Sequence, residues 1–223
     1  MVRSFVICLC CALMLFALAA TVLAAEPETL VSASFARDAW SPADWTLAKA
    51  PTATRLGKWV QRDNCLENEV PADPALLRSF NETLTTMVYS KQFVGDLTVS
   101  GTLEIGPGAA PGFVVVQDLA PDAQGRPQYG EFYELILYEK GINLWHHFLR
   151  DGKPTHELTA YCRFPLKADT PYKLTLKRKA KTLEISVEGH QIGVLIPTLT
   201  PGLYLGVEGC EGICRIIDFT ITR

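Results

Sequence analysis

Glu134, Tyr138, Asn143, Trp145 and His147 fall within one short stretch of the chain, and their types suit a polar ligand. Trp145 and Tyr138 offer flat apolar faces with a polar tip. Asn143 donates and accepts hydrogen bonds at once. Glu134 and His147 can share a proton, the arrangement of an acid/base pair when their polar atoms come within hydrogen-bond reach. They are the candidate catalytic groups, and all five are candidate ligand-binding groups. The chain has no Gly-x-Ser-x-Gly, His-Glu-x-x-His, Walker loop or dinucleotide fingerprint to point to another chemistry.

Whether these side chains meet depends on the elements that carry them. Residues 131–139 and 142–149 alternate apolar and polar positions as two strands of a hairpin. A two-residue turn at Lys140-Gly141 pairs Glu139 with Ile142, Leu137 with Leu144, Leu135 with His146 and Glu134 with His147. Opposed residues share a sheet face. Tyr133, Leu135, Leu137, Leu144, His146 and Phe148 therefore point to a core. Glu134, Ile136, Tyr138, Asn143, Trp145 and His147 point the other way. A one-residue slip would reverse every side chain. His146 and His147 face opposite sides and cannot chelate one metal together. Two fates are open for the second face: a ligand groove, or burial beneath the loops at 106–112 and 119–130 or beneath crossing segments.

The rest of the chain also reads as strands. Tyr172, Leu174 and Leu176 alternate with lysines and threonine, and Leu183, Ile185 and Val187 with Glu184 and Ser186. Leu203, Leu205 and Val207 repeat the pattern, as do Ile217, Phe219 and Ile221. Further strands are expected at 57–66, 85–89, 96–105 and 112–118. The best helical candidate is short, residues 73–80, with Asp73 as N-cap and Pro74 at the first position. Ten or more short strands without intervening helices predict an all-β fold, a two-sheet antiparallel sandwich in a single domain. The Gly/Pro-rich stretches 106–112 and 120–127 read as loops, because neither flank keeps enough strands for its own core.

Arg3, the apolar run from Phe5 to Leu18 and the small residues 19–25 form the pattern of a secretory signal peptide over 1–24. Cleavage falls after Ala24, or alternatively after Ala25; an uncleaved membrane anchor is the competing reading. Of 223 residues, 25–223 then remain, and three of seven cysteines leave with the leader. Loss of Arg3 leaves 20 basic against 24 acidic residues, a net charge of -4. That balance argues against a nucleic-acid partner. The product is expected to be periplasmic or extracellular, without membrane attachment after cleavage, and of undetermined oligomeric state. Cys65, Cys162, Cys210 and Cys214 form an even set that suits disulfides in an exported chain. The three-residue loop between Cys210 and Cys214 favours that pair, with Cys65–Cys162 as the other. Zinc binding needs two close ligand pairs, which Cys65 and Cys162 lack.

Trp45-Thr46-Leu47 with Gly57-Lys58-Trp59-Val60, the hairpin 172–190, Pro201–Val207 and the closing Ile217–Ile221 carry a family resemblance. Their order resembles the concanavalin A-like jelly roll of legume lectins, laminin G modules and polysaccharide-acting domains. Among its secreted bacterial members, the chain is similar to the 3-keto-disaccharide hydrolase domains over roughly residues 30–223. The resemblance implies the fold and a carbohydrate ligand, with Trp145 and Tyr138 packing on pyranose rings and Asn143, Glu134 and His147 reading hydroxyls. Glycoside hydrolase family 16 places two Glu and an Asp on one strand face. Here Glu131 and Glu139 are separated by core positions and Glu134 faces the other way, so that mechanism is not transferred.

No cofactor is expected, although Asp118 and Asp122 beside Gly-rich loops could take calcium, as in some laminin G-like modules. His156 and His190 read as loop or turn residues. Asn81-Glu82-Thr83 is a sequon, meaningful in a eukaryotic source. Lys173, Lys177, Arg178, Lys179 and Lys181 read as a solvated basic hairpin. Three functions remain: a secreted lectin-like carbohydrate-binding domain, a glycoside-processing hydrolase, or a non-catalytic envelope module that binds protein.

Overall fold

Alternation in sequence becomes alternation of burial. Leu97, Val99, Leu103 and Ile105 are buried along one strand while Thr98, Ser100, Thr102 and Glu104 between them stay partly exposed. The computed structural model describes residues 26–223; the expected leader lies in the segment outside them. In chain order the strands are β1 (Thr29–Ser34), β2 (Trp45–Ala48), β3 (Trp59–Gln61), β4 (Leu66–Asn68), β5 (Thr85–Tyr89) and β6 (Phe93–Val94). Next come β7 (Leu97–Ile105), β8 (Ala110–Val116), β9 (Leu119–Pro121), β10 (Pro127–Tyr129), β11 (Phe132–Tyr138) and β12 (Gly141–Arg150). The chain ends with β13 (Lys153–Arg163), β14 (Pro171–Lys179), β15 (Thr182–Val187), β16 (His190–Leu195), β17 (Gly202–Cys210), β18 (Cys214–Ile216) and β19 (Asp218–Thr222).

All but β9 and β10, which pair with each other as a separate ribbon, belong to two antiparallel sheets. The first runs β16-β15-β14-β7-β18-β4-β3, with β19 also on β7 and β1 on β19. The second runs β13-β12-β11-β8-β17-β5-β2. The core lies between them, where Phe113, Leu135, Leu144 and Leu205 meet Val99, Leu174, Ile185 and Phe219. Each such side chain contributes roughly 1.5–3 kcal/mol when fully buried. Strand β8 is buried at every position because its other face is covered too. Val114 and Val116 turn outward into a second apolar cluster with Ala48, Val88, Tyr129 and Phe132. That cluster is roofed by residues 48–53, the helix α1 (Phe80–Thr83) and the β9–β10 ribbon.

Several local expectations need correction. The 106–112 loop is shorter than expected, since β8 already begins at Ala110. The loop at 120–127 is the turn of the β9–β10 ribbon. Residues 73–80 form a single 3-10 turn at Pro74–Leu76, with Asp73 Oδ1 accepting from Ala75 N, before α1 begins. Arg178 is not solvated: it is buried, and its guanidinium donates to the carbonyls of Ala180, Thr200 and Pro201.

The expected disulfides are absent; all four described cysteines are free thiols. Cys65 precedes β4 near one end of the first sheet, whereas Cys162 lies on β13, which packs near β16 at the other end. Cys210 and Cys214 sit at the ends of strands in different sheets. Their sulfurs aim at separate carbonyls, Cys214 Sγ at Cys210 O (3.5 Å) and Cys210 Sγ at Ala110 O (3.6 Å).

Candidate functional site

The hairpin turns at Glu139-Lys140, not at Lys140-Gly141, and Tyr138 pairs with Gly141. Gly141 is needed for a different reason. Its φ is +126°, and a Cβ there would come within 2.0 Å of Cys162 O on β13. Glu134 consequently opposes Trp145, and His147 opposes Phe132. This displacement is two residues, an even number, so the faces are kept as far as Leu144. His146 and Phe148, expected in the core, lie outside it and half-buried, and Phe148 lines the cleft. Tyr133, Leu135, Leu137 and Leu144 are in the core. Glu134, Tyr138, Asn143, Trp145 and His147 all line one cleft of about 430 Å³ on the outer face of the second sheet.

On the hairpin itself this face lines the cleft; cover by loops falls on the neighbouring strands of the same sheet. Over β5, β8 and β17 the face is sealed by the second apolar cluster, and Tyr129 of the 119–130 segment is part of that seal. Over β11, β12 and β13 it stays open as the cleft floor. Ala50, Pro51, Phe80 and Asn81 rise on the covered side, while Pro154, Thr155 and His156 line the opposite side from β13. His156 thus belongs to a strand rather than a loop, directly across from His147. His190 begins β16, and its ring stacks on Phe164 at 3.8 Å, away from the cleft. His146, on the other face, stacks on Tyr133 and bonds Glu131 at 2.9 Å.

His147 is held on three sides. Nε2 is hydrogen-bonded to Glu134 Oε2 at 2.8 Å. The ring stacks on Phe132 at 4.3 Å and lies parallel to Phe80 at 5.8 Å. His156 lies 5.7 Å from both the His147 and the Trp145 rings. Glu134 is buried, and its Oε1 lies 3.8 Å from Cys210 Sγ. Behind it stands a residue that no motif marked, Glu208 on β17, which is fully buried. Burial first, and the Glu134 charge second, push the Glu208 carboxyl well above the usual carboxylate range. Burial, reinforced by Glu134, likewise pushes the Cys210 thiol well up.

The calcium candidates are otherwise engaged. Asp118 Oδ1 accepts from Gly130 N and Glu131 N. Asp122 accepts from Gln124 N, Arg126 N and Arg126 Nε, and pairs with Lys49 Nζ at 3.5 Å. Burial alone would raise Asp122, but the Arg126 and Gln124 hydrogen bonds hold it at about 2. Both carboxylates organise the β9–β10 ribbon. Asn81 of the sequon lines the cleft, while the Thr83 hydroxyl is taken by Ser79 O and Glu211 N.

Solved structures share the architecture. β-Agarase A from Zobellia galactanivorans superimposes with a TM-score of 0.62 at 11% identity, covering 88% of this chain and 92% of that one. A carbohydrate-binding module from Bacillus subtilis gives 0.56 at 12% identity, covering 81% and 96%. A β-porphyranase from the human gut bacterium Bacteroides plebeius gives 0.58 at 10%, covering 86% and 89%. The fold is the concanavalin A-like jelly roll. At these identities the likeness speaks for the fold alone. No family model and no curated protein matches the sequence, so the narrower resemblance to 3-keto-disaccharide hydrolases remains one of sequence features. Within the jelly roll, the cleft lies on the outer face of the sheet that carries β11, β12 and β13.

Proposed function

We propose that this cleft binds a carbohydrate, in an exported protein whose leader spans residues 1–24. One observation carries the reading: Trp145, Tyr138, Asn143, Glu134 and His147 converge on an open cleft of about 430 Å³. That volume lies within the range of small-molecule sites. A pyranose ring packs its C–H face on an aromatic body while its hydroxyls need donors and acceptors around the rim, and this lining offers both. Among solved structures that share the fold are a carbohydrate-binding module and two enzymes named for polysaccharides, which supports the same direction.

A second reading, a glycoside-processing enzyme, is favoured by the 2.8 Å Glu134–His147 bond in the cleft. Glu134 and Glu208 do not supply the standard glycosidase pair. Glu208 is fully buried and does not line the cleft, so it cannot flank a scissile bond opposite Glu134. Binding and turnover measured together on a panel of neutral, amino and acidic oligosaccharides separate the readings. Saturable binding without products supports the lectin-like domain. Products that disappear in both Glu134→Gln and His147→Ala support the enzyme. Absence of affinity for every glycan, with a protein recovered in pull-downs, would replace both with an envelope interaction module.

A further inference from the structure

Glu208 is the least expected group beneath the cleft. It is completely buried on β17, opposite Gly112 of β8 and Thr86 of β5. Among the described residues no N–H or hydroxyl donor reaches either of its oxygens. A buried carboxyl without a donor is costly, so its retention calls for an explanation. The groups around it give one. Across β8, Gly112 opposes Glu208 on one side and Ile136 on the other. That places Glu134 of β11 two residues along on the same face, past a position without a side chain, and its charge bears on Glu208. Tyr129 from β10 already shares its hydroxyl with Thr86 at 3.0 Å. On β17 itself, Cys210 Sγ lies between Ala110 O and Glu134 Oε1, and Glu211 follows it. None of these is a cation. Two adjoining buried carboxyls cannot both ionise, so the pair is satisfied only when one retains a proton and donates it to the other.

The asymmetry of the pair decides which one. Glu134 already has a second partner in His147 Nε2 at 2.8 Å and satisfies it as an acceptor when ionised, whereas Glu208 has no other partner. We propose that protonated Glu208 is a positioning residue: it holds the Glu134 carboxylate on His147 and so fixes His147 as the Nε2–H tautomer. The Nδ1 lone pair is then a permanent acceptor, offered to a ligand hydroxyl in the cleft. Only that last step rests on the carbohydrate reading; the tautomer lock does not.

Histidine ring ¹⁵N NMR on the full chain at pH 8, without ligand, tests the lock. In the unaltered protein His147 shows a protonated Nε2 and an unprotonated Nδ1. Glu208→Gln keeps a neutral donor beside Glu134 and preserves that spectrum. Glu208→Leu is also uncharged and of similar size, but it removes the donor; the His147 signals then move toward a two-tautomer average. A His147 protonated on Nδ1 in the unaltered protein overturns the proposal, as does a Leu variant indistinguishable from it. Titration with neutral oligosaccharides follows on the same samples. Weaker binding by the Leu variant but not the Gln variant supports the acceptor role, and equal binding by both overturns it. If no sugar binds at all, the carbohydrate reading fails while the tautomer result still decides the role of Glu208.

Discussion

Glu134 and His147 meet on a diagonal of the β11–β12 hairpin, with the carboxylate reaching past its direct partner Trp145 to bond Nε2 two residues further on, at 2.8 Å. This bond draws both polar groups together and leaves the Trp145 indole, partly exposed, beside His156 on the cleft floor. Diagonal neighbours lie within reach of long and aromatic side chains, so the pairing needs no bulge in β11.

The first prediction concerns Trp145. It supplies the largest flat surface in the cleft, so Trp145→Ala should weaken binding of a neutral oligosaccharide at least tenfold, about 1.4 kcal/mol. Titration calorimetry on both proteins, with circular dichroism to show an unchanged fold, provides the check. Undiminished affinity would remove Trp145 from the binding surface.

The second prediction concerns the pH dependence of stability. A free glutamate titrates near 4.3, and burial beside Glu134 raises Glu208 well above that in the folded protein. Below about pH 4.3 both folded and unfolded chains hold the proton, and the stabilisation associated with the raised group is fully present. Above it the unfolded chain releases the proton while the folded chain keeps it. Stability then declines by up to about 1.4 kcal/mol per pH unit until the folded group ionises. Glu208→Leu should abolish this decline, so its stability relative to the unaltered protein rises from pH 4.5 to pH 7.5. Urea midpoints at the two values measure it, and a constant difference would show that Glu208 carries its charge in the folded state.

The faces of β11 and of β12 as far as Leu144 were legible because parity survives an even shift in pairing; beyond it His146 and Phe148 leave the core. The turn position was not legible, because Gly141 serves the approach of β13 and not the turn itself. Strand β13 escaped because it is an edge strand with little buried surface. Pro154 and the sequence His156-Glu157-Leu158 break any alternation, and a register irregularity opposite Leu144/Trp145 breaks it again. His156 was therefore misplaced on a loop. Glu208 was illegible for a related reason. In Gly206-Val207-Glu208-Gly209 it occupies the outward position of an alternating strand, which ordinarily meets water. What buries it is a roof from residues 48–53 and 129, far away in sequence. The cysteines misled because an even number suggests bonds, whereas only the placement of β17 and β18 in different sheets shows where the sulfurs point.

The third prediction concerns the ribbon that closes one end of the covered face. Asp122 satisfies two backbone N–H groups, Arg126 Nε and the buried Lys49 ammonium. Asp122→Asn should lower Tm at neutral pH, because Lys49 would keep only Ala53 O and Gln128 Oε1. With the folded group held at about 2, the stabilisation is present above the unfolded value near 3.9. It is lost as the pH falls towards 2, so the Tm difference between the two proteins should shrink across that interval. Because the carboxylate is engaged internally, EDTA should leave Tm unchanged. A drop in Tm with chelator, restored by calcium, would reassign Asp118 and Asp122 to a metal.

The fourth prediction is the state and order of reaction of the thiols. With four free cysteines among the described residues, alkylation in denaturant without reductant should label Cys65, Cys162, Cys210 and Cys214 alike. In the native protein the order should follow exposure and thiolate content. Cys162 is partly exposed on edge strand β13 and should react first. Burial raises Cys65 as well. Cys210 is held well up by burial and the Glu134 charge, and burial pushes Cys214 up to about 12. Both should resist labelling until the protein opens. Peptide mass mapping over time distinguishes the outcomes. A Cys210–Cys214 crosslink recovered from unreduced protein would mean that β17 and β18 end closer together than their hydrogen bonds to Cys210 O and Ala110 O require.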